Sequence, residues 1–278
     1  MEWYFVLLTV IGSLALVWGL VWIFLVASKS KRDMTELLKY KYAHRGLHGT
    51  YDYGSYAPEN SLLAFSRATE RGYGMELDLR LTRDGEAVVF HDDTLLRMCG
   101  VDKRVSDLTL SELSELRLKD TDEKIPTFRE LLDTVGGKAP LIIELKGESG
   151  DTSVADKAIE LLRGYSGKYV FESFNPLLVG RIKKIAPKAV RGFLVSKHSE
   201  DPSHRNIKYR VIQRSLLNFI ARPHFIASEK NHLGLFPNKL LARLFGTALV
   251  AWTVKSKEEE RKAYDDGFEC IIFEQYLA

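Results

Sequence analysis

Glu76 and Asp78 stand two residues apart in MELDLRLTRDGEAVVFHDD (residues 75–93), a stretch that ends its second apolar run on His91. Side chains two apart on a strand share a face, so the two acids point together while Leu77 and Leu79 point the other way. The pattern returns in LIIELKG, where Glu144 and Lys146 share a face after an apolar start. Carboxylates gathered in a partly dry place repel one another and take up protons unless a cation balances them. The donors are all oxygens and no cysteine is near, so the economical cation is one hard divalent ion, Mg²⁺ or Ca²⁺, held by Glu76, Asp78 and Glu144. YAHRG adds His44 and Arg45. Arg45 and Lys146 offer a bidentate and a point-charge contact for a phosphate. His44 and His91 are the side chains there whose ordinary pKa lies near neutrality, as a general acid and base require. A lone ELD reads equally well as an exposed strand whose acids face water; two histidines and a third acid at strand ends favour the site.

Those residues need a scaffold that brings strand ends together. Short β-branched runs alternate with helical periodicity through the chain. Eight strands are expected, over residues 41–44, 75–79, 141–145, 169–172, 190–194, 224–227, 248–253 and 270–273. Between most of them fall helical stretches such as SLLAFSRATERG, TFRELLDTV and NPLLVGRIKKIA, several opening on Ser or Asn and closing on Gly as caps would. Such alternation over residues 41–278 suits a (β/α)8 TIM barrel, in which all strand carboxyl ends converge on one mouth. A doubly wound open sheet is the alternative. TRDGE joins residues 86–91 to the second strand by a short turn, so that run is expected as an antiparallel ribbon. Residues 93–126 form an insertion after it, 33–40 a short connecting helix, and SKHSEDPSHRNIKYR (196–210) a mobile polar loop.

The 278 residues, 45% apolar, suffice for one large domain or two small ones. A net charge of +3 from 40 Lys and Arg against 37 Asp and Glu gives no case for nucleic acid as a partner. Cys99 and Cys270 lie far apart without metal-ligand spacing and read as buried free thiols. From Trp3 to Ala27 the chain carries no charge. As a helix that run is roughly 37 Å long, more than the hydrocarbon layer of a bilayer. The basic cluster KSKR follows it instead of preceding it, which argues against a cleaved signal peptide. Residues 1–32 are therefore expected to be a single membrane span with its basic flank, and the positive-inside rule puts the catalytic domain on the cytoplasmic side. A buried core helix is the alternative.

In combination, HRG (44–46), PENS (58–61), ELD (76–78), VVFHD (88–92), ELK (144–146), SFNP (173–176) and WTV (252–254) resemble, in order, the glycerophosphodiester phosphodiesterase family across residues 41–278. The resemblance implies a TIM barrel, hydrolysis of a glycerophosphodiester to glycerol phosphate and an alcohol, and a divalent ion on Glu76, Asp78 and Glu144. It further implies His44 and His91 as the acid–base pair, Arg45 and Lys146 on the phosphate, Glu59 and Asn60 bracing the mouth, and Trp252 against the glycerol, with Phe174 lining the same pocket or packing in the core. Three departures stand out: the long segment LHGTYDYGSYA (47–57), whose tyrosines would be available to a lipid; Lys255, where the family often has Asn; and Glu274, where Asp is usual. Two other readings follow. The same site would serve a lysophospholipase D, with the anchor holding the mouth near the bilayer; or the chain would be an inactive membrane-tethered binding module.

Overall fold

Every predicted strand forms in the computed structural model, which describes residues 2–147, 150–196, 215–230 and 238–278. The strands are β1 (Tyr42–Ala43), β2 (Gly74–Leu81), β3 (Ala87–Val89), β4 (Leu141–Leu145), β5 (Tyr169–Ser173), β6 (Arg191–Val195), β7 (Phe225–Glu229), β8 (Ala248–Val254) and β9 (Cys270–Phe273). Eight of them are parallel and close into a barrel in the order β1-β9-β8-β7-β6-β5-β4-β2, sealed by pairing of β1 with β2. The fold is the TIM barrel that the alternation of strand and helix predicts. β3 stands outside the ring as the expected antiparallel ribbon, with Leu79 opposite Val89. Most of the polar stretch 196–210 lies outside the described residues.

Helix boundaries follow local chemistry. Ser61 caps Leu62–Glu70 by accepting from Ala64 N, and Thr127 exchanges a reciprocal pair of hydrogen bonds with Glu130 at the start of Phe128–Val135. Gly136 and Gly267 end their helices at φ values of 56° and 100°, where a side chain would be strained.

Alternation along the strands sorts side chains into two layers. Leu77, Leu79, Ile143, Leu145 and Phe171 pack outward beneath the helices. Ile142, Val170, Phe225 and Val250 fill the lumen at its amino-terminal end, with Leu194 and Ile272 in the same cluster. The fit there is close: a Cβ on Gly192 would fall 2.4 Å from the Phe225 ring. Met34 and Leu37 complete that cluster from the segment ahead of β1. The connecting helix expected over 33–40 is instead a 3-10 turn, Lys31–Met34, followed by turns, because its apolar side chains are drawn under the barrel as a floor. Burial overrides a weak helical preference. The insertion has a small core of its own, in which Leu95, Met98, Val105, Leu113 and Leu118 pack against Val88 and Phe90.

The helix Glu2–Val26 is long and apolar enough to cross a membrane. Its side chains are exposed until the last turns, and Val26 is fully buried against the barrel.

Candidate functional site

The registers of β2, β4 and β5 place Asp78 beside Glu144 and Glu144 beside Glu172. Glu76 lies two residues before Asp78 on the same face, so four carboxyls line the upper lumen, all buried. One oxygen from each of Glu76, Asp78 and Glu144 lies within 4.8 Å of the others. Oxygens bound to one Mg²⁺ or Ca²⁺ at about 2.0–2.6 Å stand no more than about 5 Å apart, so the cluster fits such an ion in donor type and spacing. Lys146 Nζ lies 2.7 Å from Glu144 Oε1 and 3.0 Å from Asp78 Oδ1. Asn60 donates to Asp78 Oδ2 at 2.9 Å, and the Arg45 backbone N–H donates to Glu76 Oε2 at 3.0 Å.

Charge is unevenly spread over this cluster. Burial, then Asp78, Glu144 and Glu172, push the Glu76 carboxyl well above the ordinary range. Burial also raises Glu144 and, together with the Glu144 charge, Glu172. Asp78 goes the other way: burial opposes its ionisation, but Lys146, His91 and Arg45 outweigh it and hold the carboxyl well below the usual range. Glu172 Oε2 is buried without a hydrogen-bond partner. The acids outnumber the cations that meet them, which is the imbalance a divalent ion corrects.

Two histidines face this cluster, each backed by a carboxylate. His44 Nδ1 lies 2.7 Å from Glu274 Oε2, and its Nε2 is 3.9 Å from Glu76 Oε2. His91 Nδ1 lies 2.7 Å from Asp92 Oδ1. A carboxylate on Nδ1 fixes the ring and leaves Nε2 to work, a second sphere that orients the reacting group. Burial depresses the His44 imidazolium in spite of Glu274. Burial likewise acts to raise the Glu274 and Asp92 carboxyls, but their histidine hydrogen bonds and neighbouring cations outweigh it, and both stay ionised far below the ordinary range.

Arg97, from the insertion, ties the rim together. It bonds both oxygens of Glu59 at 2.6 and 2.8 Å and both of Asp92 at 2.6 and 3.0 Å, and Glu59 also takes Arg45 Nη1 at 2.7 Å. Burial would raise the Glu59 carboxyl, but the two guanidinium groups hold its pKa at about 2. Arg45 and Asn60 both adopt left-handed backbone, φ 53° and 57°, and Asn60 N–H donates to Arg45 O at 2.9 Å. Strained backbone held this tightly is characteristic of functional sites.

These groups open into a cavity of about 430 Å³. His44, Arg45, Glu59, Glu76, His91, Glu144, Lys146, Phe174 and Trp252 all line it. Asp78 and Asn60 stand just behind, buried. Phe174 and Trp252 meet edge to face with ring centroids 5.7 Å apart, forming an apolar wall opposite the acids. A larger depression of about 750 Å³ lies on the other side of Lys146, lined by residues such as Arg83, Asp151 and Lys157; no histidine lines it.

The model of the glycerophosphoryl diester phosphodiesterase family matches residues 44–276. The chain belongs to that family. A glycerophosphodiester phosphodiesterase of Caldanaerobacter subterraneus is 31% identical over 227 residues, 77% of this chain and 88% of that protein. A solved glycerophosphodiester phosphodiesterase of Thermotoga maritima is 29% identical, with TM-score 0.63 over 84% of this chain and 92% of that one. A phosphodiesterase of Oleispira antarctica, solved with its product sn-glycerol-3-phosphate, has TM-score 0.70 at 24% identity over 87% of this chain and 94% of that one, a likeness of fold.

Against the family pattern, the departures find physical places. Glu274, in the position where Asp is usual, reaches His44, and Lys255 Nζ sits 2.8 Å from the other Glu274 oxygen. The segment 47–57 turns two of its tyrosines inward. Tyr51 Oη accepts from Gln275 N at 3.1 Å, and the Tyr53 ring lies under the Arg67 guanidinium at 4.3 Å. Tyr56 is the member left exposed.

Sequence reasoning missed Glu172, Asp92 and Arg97, and it named Glu274 without showing that it backs His44. Glu172 ends its predicted strand, and that is the only local signal it gave. Asp92 adjoins His91 in the HDD run, but neighbours in sequence do not reveal a hydrogen bond.

Proposed function

We propose that this chain hydrolyses glycerophosphodiesters to glycerol phosphate and an alcohol, with one divalent cation, from a membrane surface. The observation that carries the reading is the pair of carboxylate-backed imidazoles facing one three-carboxylate cluster inside a single cavity. The anchor is the helix Glu2–Val26, uncharged from Trp3 onward, and the basic residues that follow it favour the cytoplasmic side.

Glu76, Asp78 and Glu144 would hold the cation, which when bound neutralises charge on the diester and lowers the pKa of the attacking hydroxyl. Arg45 and Lys146 then hold non-bridging phosphate oxygens from two sides, where their positive charge is preorganised for the extra negative charge of the transition state. One Nε2, of His44 or His91, removes the proton from the attacking oxygen, which is water or the glycerol hydroxyl next to the ester; in the second case a cyclic phosphate forms and water then opens it to glycerol phosphate. The other protonates the departing alkoxide. Glu274 and Asp92 stabilise whichever imidazolium forms. Phe174 and Trp252 cover the carbon face of the glycerol and exclude water from it.

The test is release of glycerol phosphate from glycerophosphocholine by the purified full-length chain, with Mg²⁺, Ca²⁺ or a chelator. Metal-dependent release is expected. A protein inert toward this diester and toward an aryl phosphodiester with every divalent ion would leave the binding-module reading in its place.

A further inference from the structure

The site and the anchor occupy opposite ends of the barrel. Asp78 lies just past the middle of β2 and Glu144 next to last in β4, while His44 follows β1, Lys146 follows β4 and Glu274 follows β9. At roughly 3.3 Å per residue, Asp78 lies about 13 Å along β2 from its start. The residues that grip the anchor all precede strands. Lys29 N–H donates to Pro223 O at 2.7 Å, ahead of β7, and Lys31 N–H donates to Gly246 O at 2.8 Å, ahead of β8. The Lys31 ammonium pairs with Glu269, ahead of β9.

This joint is built as a rigid clamp. The last carbonyls of a helix have no partner within it. Here Asn218 Nδ2 donates to Val26 O at 2.9 Å, and Arg222 Nη1 donates to Phe24 O and Ala27 O at 3.1 Å each. The Phe24 and Phe219 rings stack at 5.8 Å, and Arg222 lies over the Phe24 ring. Seven residues, 27–33, separate the helix from Met34, which with Leu37 enters the barrel floor. The helix upstream of Trp22 leaves the barrel with its side chains exposed instead of lying along it.

The end from which the helix leaves is basic. Lys29, Lys184, Lys188 and Arg243 are exposed there, and Lys183 and Arg222 are half-buried. Burial lowers the Lys183 pKa, and Arg191, Arg222 and Lys29 lower it further, so these cations crowd one another. Asp33, Glu36 and Glu269 are the acids at the joint, and Glu269 is already paired with Lys31. Such a surface suits anionic lipid headgroups.

We infer that this chain stands on the bilayer on the amino-terminal end of its barrel with the catalytic mouth turned to the water, so that its substrate is a dissolved diester and not a lysolipid seated in the membrane that holds the enzyme. The inference rests on the hydrolase and anchor readings given under Proposed function. A lysolipid in that membrane would have to withdraw its acyl chain to reach the mouth, at a cost that grows with every methylene. A glycerophosphodiester without an acyl chain meets no such cost.

The test uses the full-length chain with Cys99→Ser, carrying one fluorescent label at Lys188→Cys near the anchor or at Glu258→Cys beyond β8, reconstituted in phosphatidylcholine–phosphatidylglycerol vesicles containing headgroup-nitroxide lipid. The Lys188→Cys label should lose at least half its emission, and the Glu258→Cys label less than a tenth. Equal quenching, the reverse order, or no quenching of either label overturns the inference. In the same vesicles, glycerophosphocholine in the water should turn over at least tenfold faster than embedded lysophosphatidylcholine. Comparable rates overturn the inference and leave the hydrolase reading standing, whereas no release from either substrate overturns the hydrolase reading and leaves the quenching to decide orientation.

Discussion

The two ends of this barrel are built on opposite principles. The carboxyl end gathers four buried acids, two histidines, Arg45 and Lys146, with Glu172 Oε2 left unpaired. The amino end is filled with Ile142, Val170, Phe225 and Val250 and floored by Met34 and Leu37. Isolated, the upper cluster would destabilise a protein, because buried charges without full compensation are costly. The lower cluster buries apolar side chains at close fit and supplies the stability that the mouth gives up. Activity and stability should therefore respond to substitutions at different heights of the same strands.

The largest expected effect is at the mouth. His44→Ala or His91→Ala should each lower turnover of glycerophosphocholine by about two to four orders of magnitude, while thermal unfolding stays close to that of the wild type. An undiminished rate in either variant removes that histidine from the chemistry. Glu76→Gln should raise the Mg²⁺ or Ca²⁺ concentration for half-maximal rate by about tenfold or more, and a chelator should abolish turnover reversibly. Metal dependence unchanged in the variant would show that Glu76 is not a ligand.

At the floor the outcome should invert. Leu37→Ala should destabilise the barrel by about 2–4 kcal/mol in denaturant titrations, with turnover of the remaining folded enzyme within about twofold of wild type. A large loss of turnover at unchanged stability would join the two ends that the structure separates. The smallest effect is a pH dependence. His224 is buried close to Asp33, beyond the end of the N-terminal helix, and burial with nearby Arg191 and Lys29 lowers its pKa from 6.5 to about 4. The unfolded chain thus takes up this proton first, so the contribution of neutral His224 is complete above pH 6.5 and is lost as pH falls toward about 4. The stability of the wild type should fall across that window by up to about 3 kcal/mol more than that of His224→Gln. Parallel curves for the two proteins would remove His224 as the cause.

The sequence made the mouth easier to read than the floor. Period-two alternation marks which side of a strand an acid faces, so Glu76, Asp78 and Glu144 could be grouped from local pattern once a barrel was expected. Register between strands is not local. Glu172 joined the cluster only when β4 and β5 paired in the observed phase. The partners of the histidines divide in the same way: Glu274 reaches His44 across 230 residues of chain, a distance no spacing rule covers. The clamp is more remote still, since Asn218 meets Val26 192 residues away. The segment 33–40 has apolar spacing that suits a helix, yet it folds as turns because the open barrel end buries Met34 and Leu37 better than a helix face would.

Arg97 gives the insertion a consequence for anyone who would shorten or exchange it. The guanidinium grips Glu59, which steadies Arg45, and Asp92, which steadies His91. Residues 93–126 therefore act as a keystone from outside the ring: a chimera that swapped this excursion without restoring a cation at that spot would loosen both flanks of the mouth together, while every stave of the barrel stayed in its place.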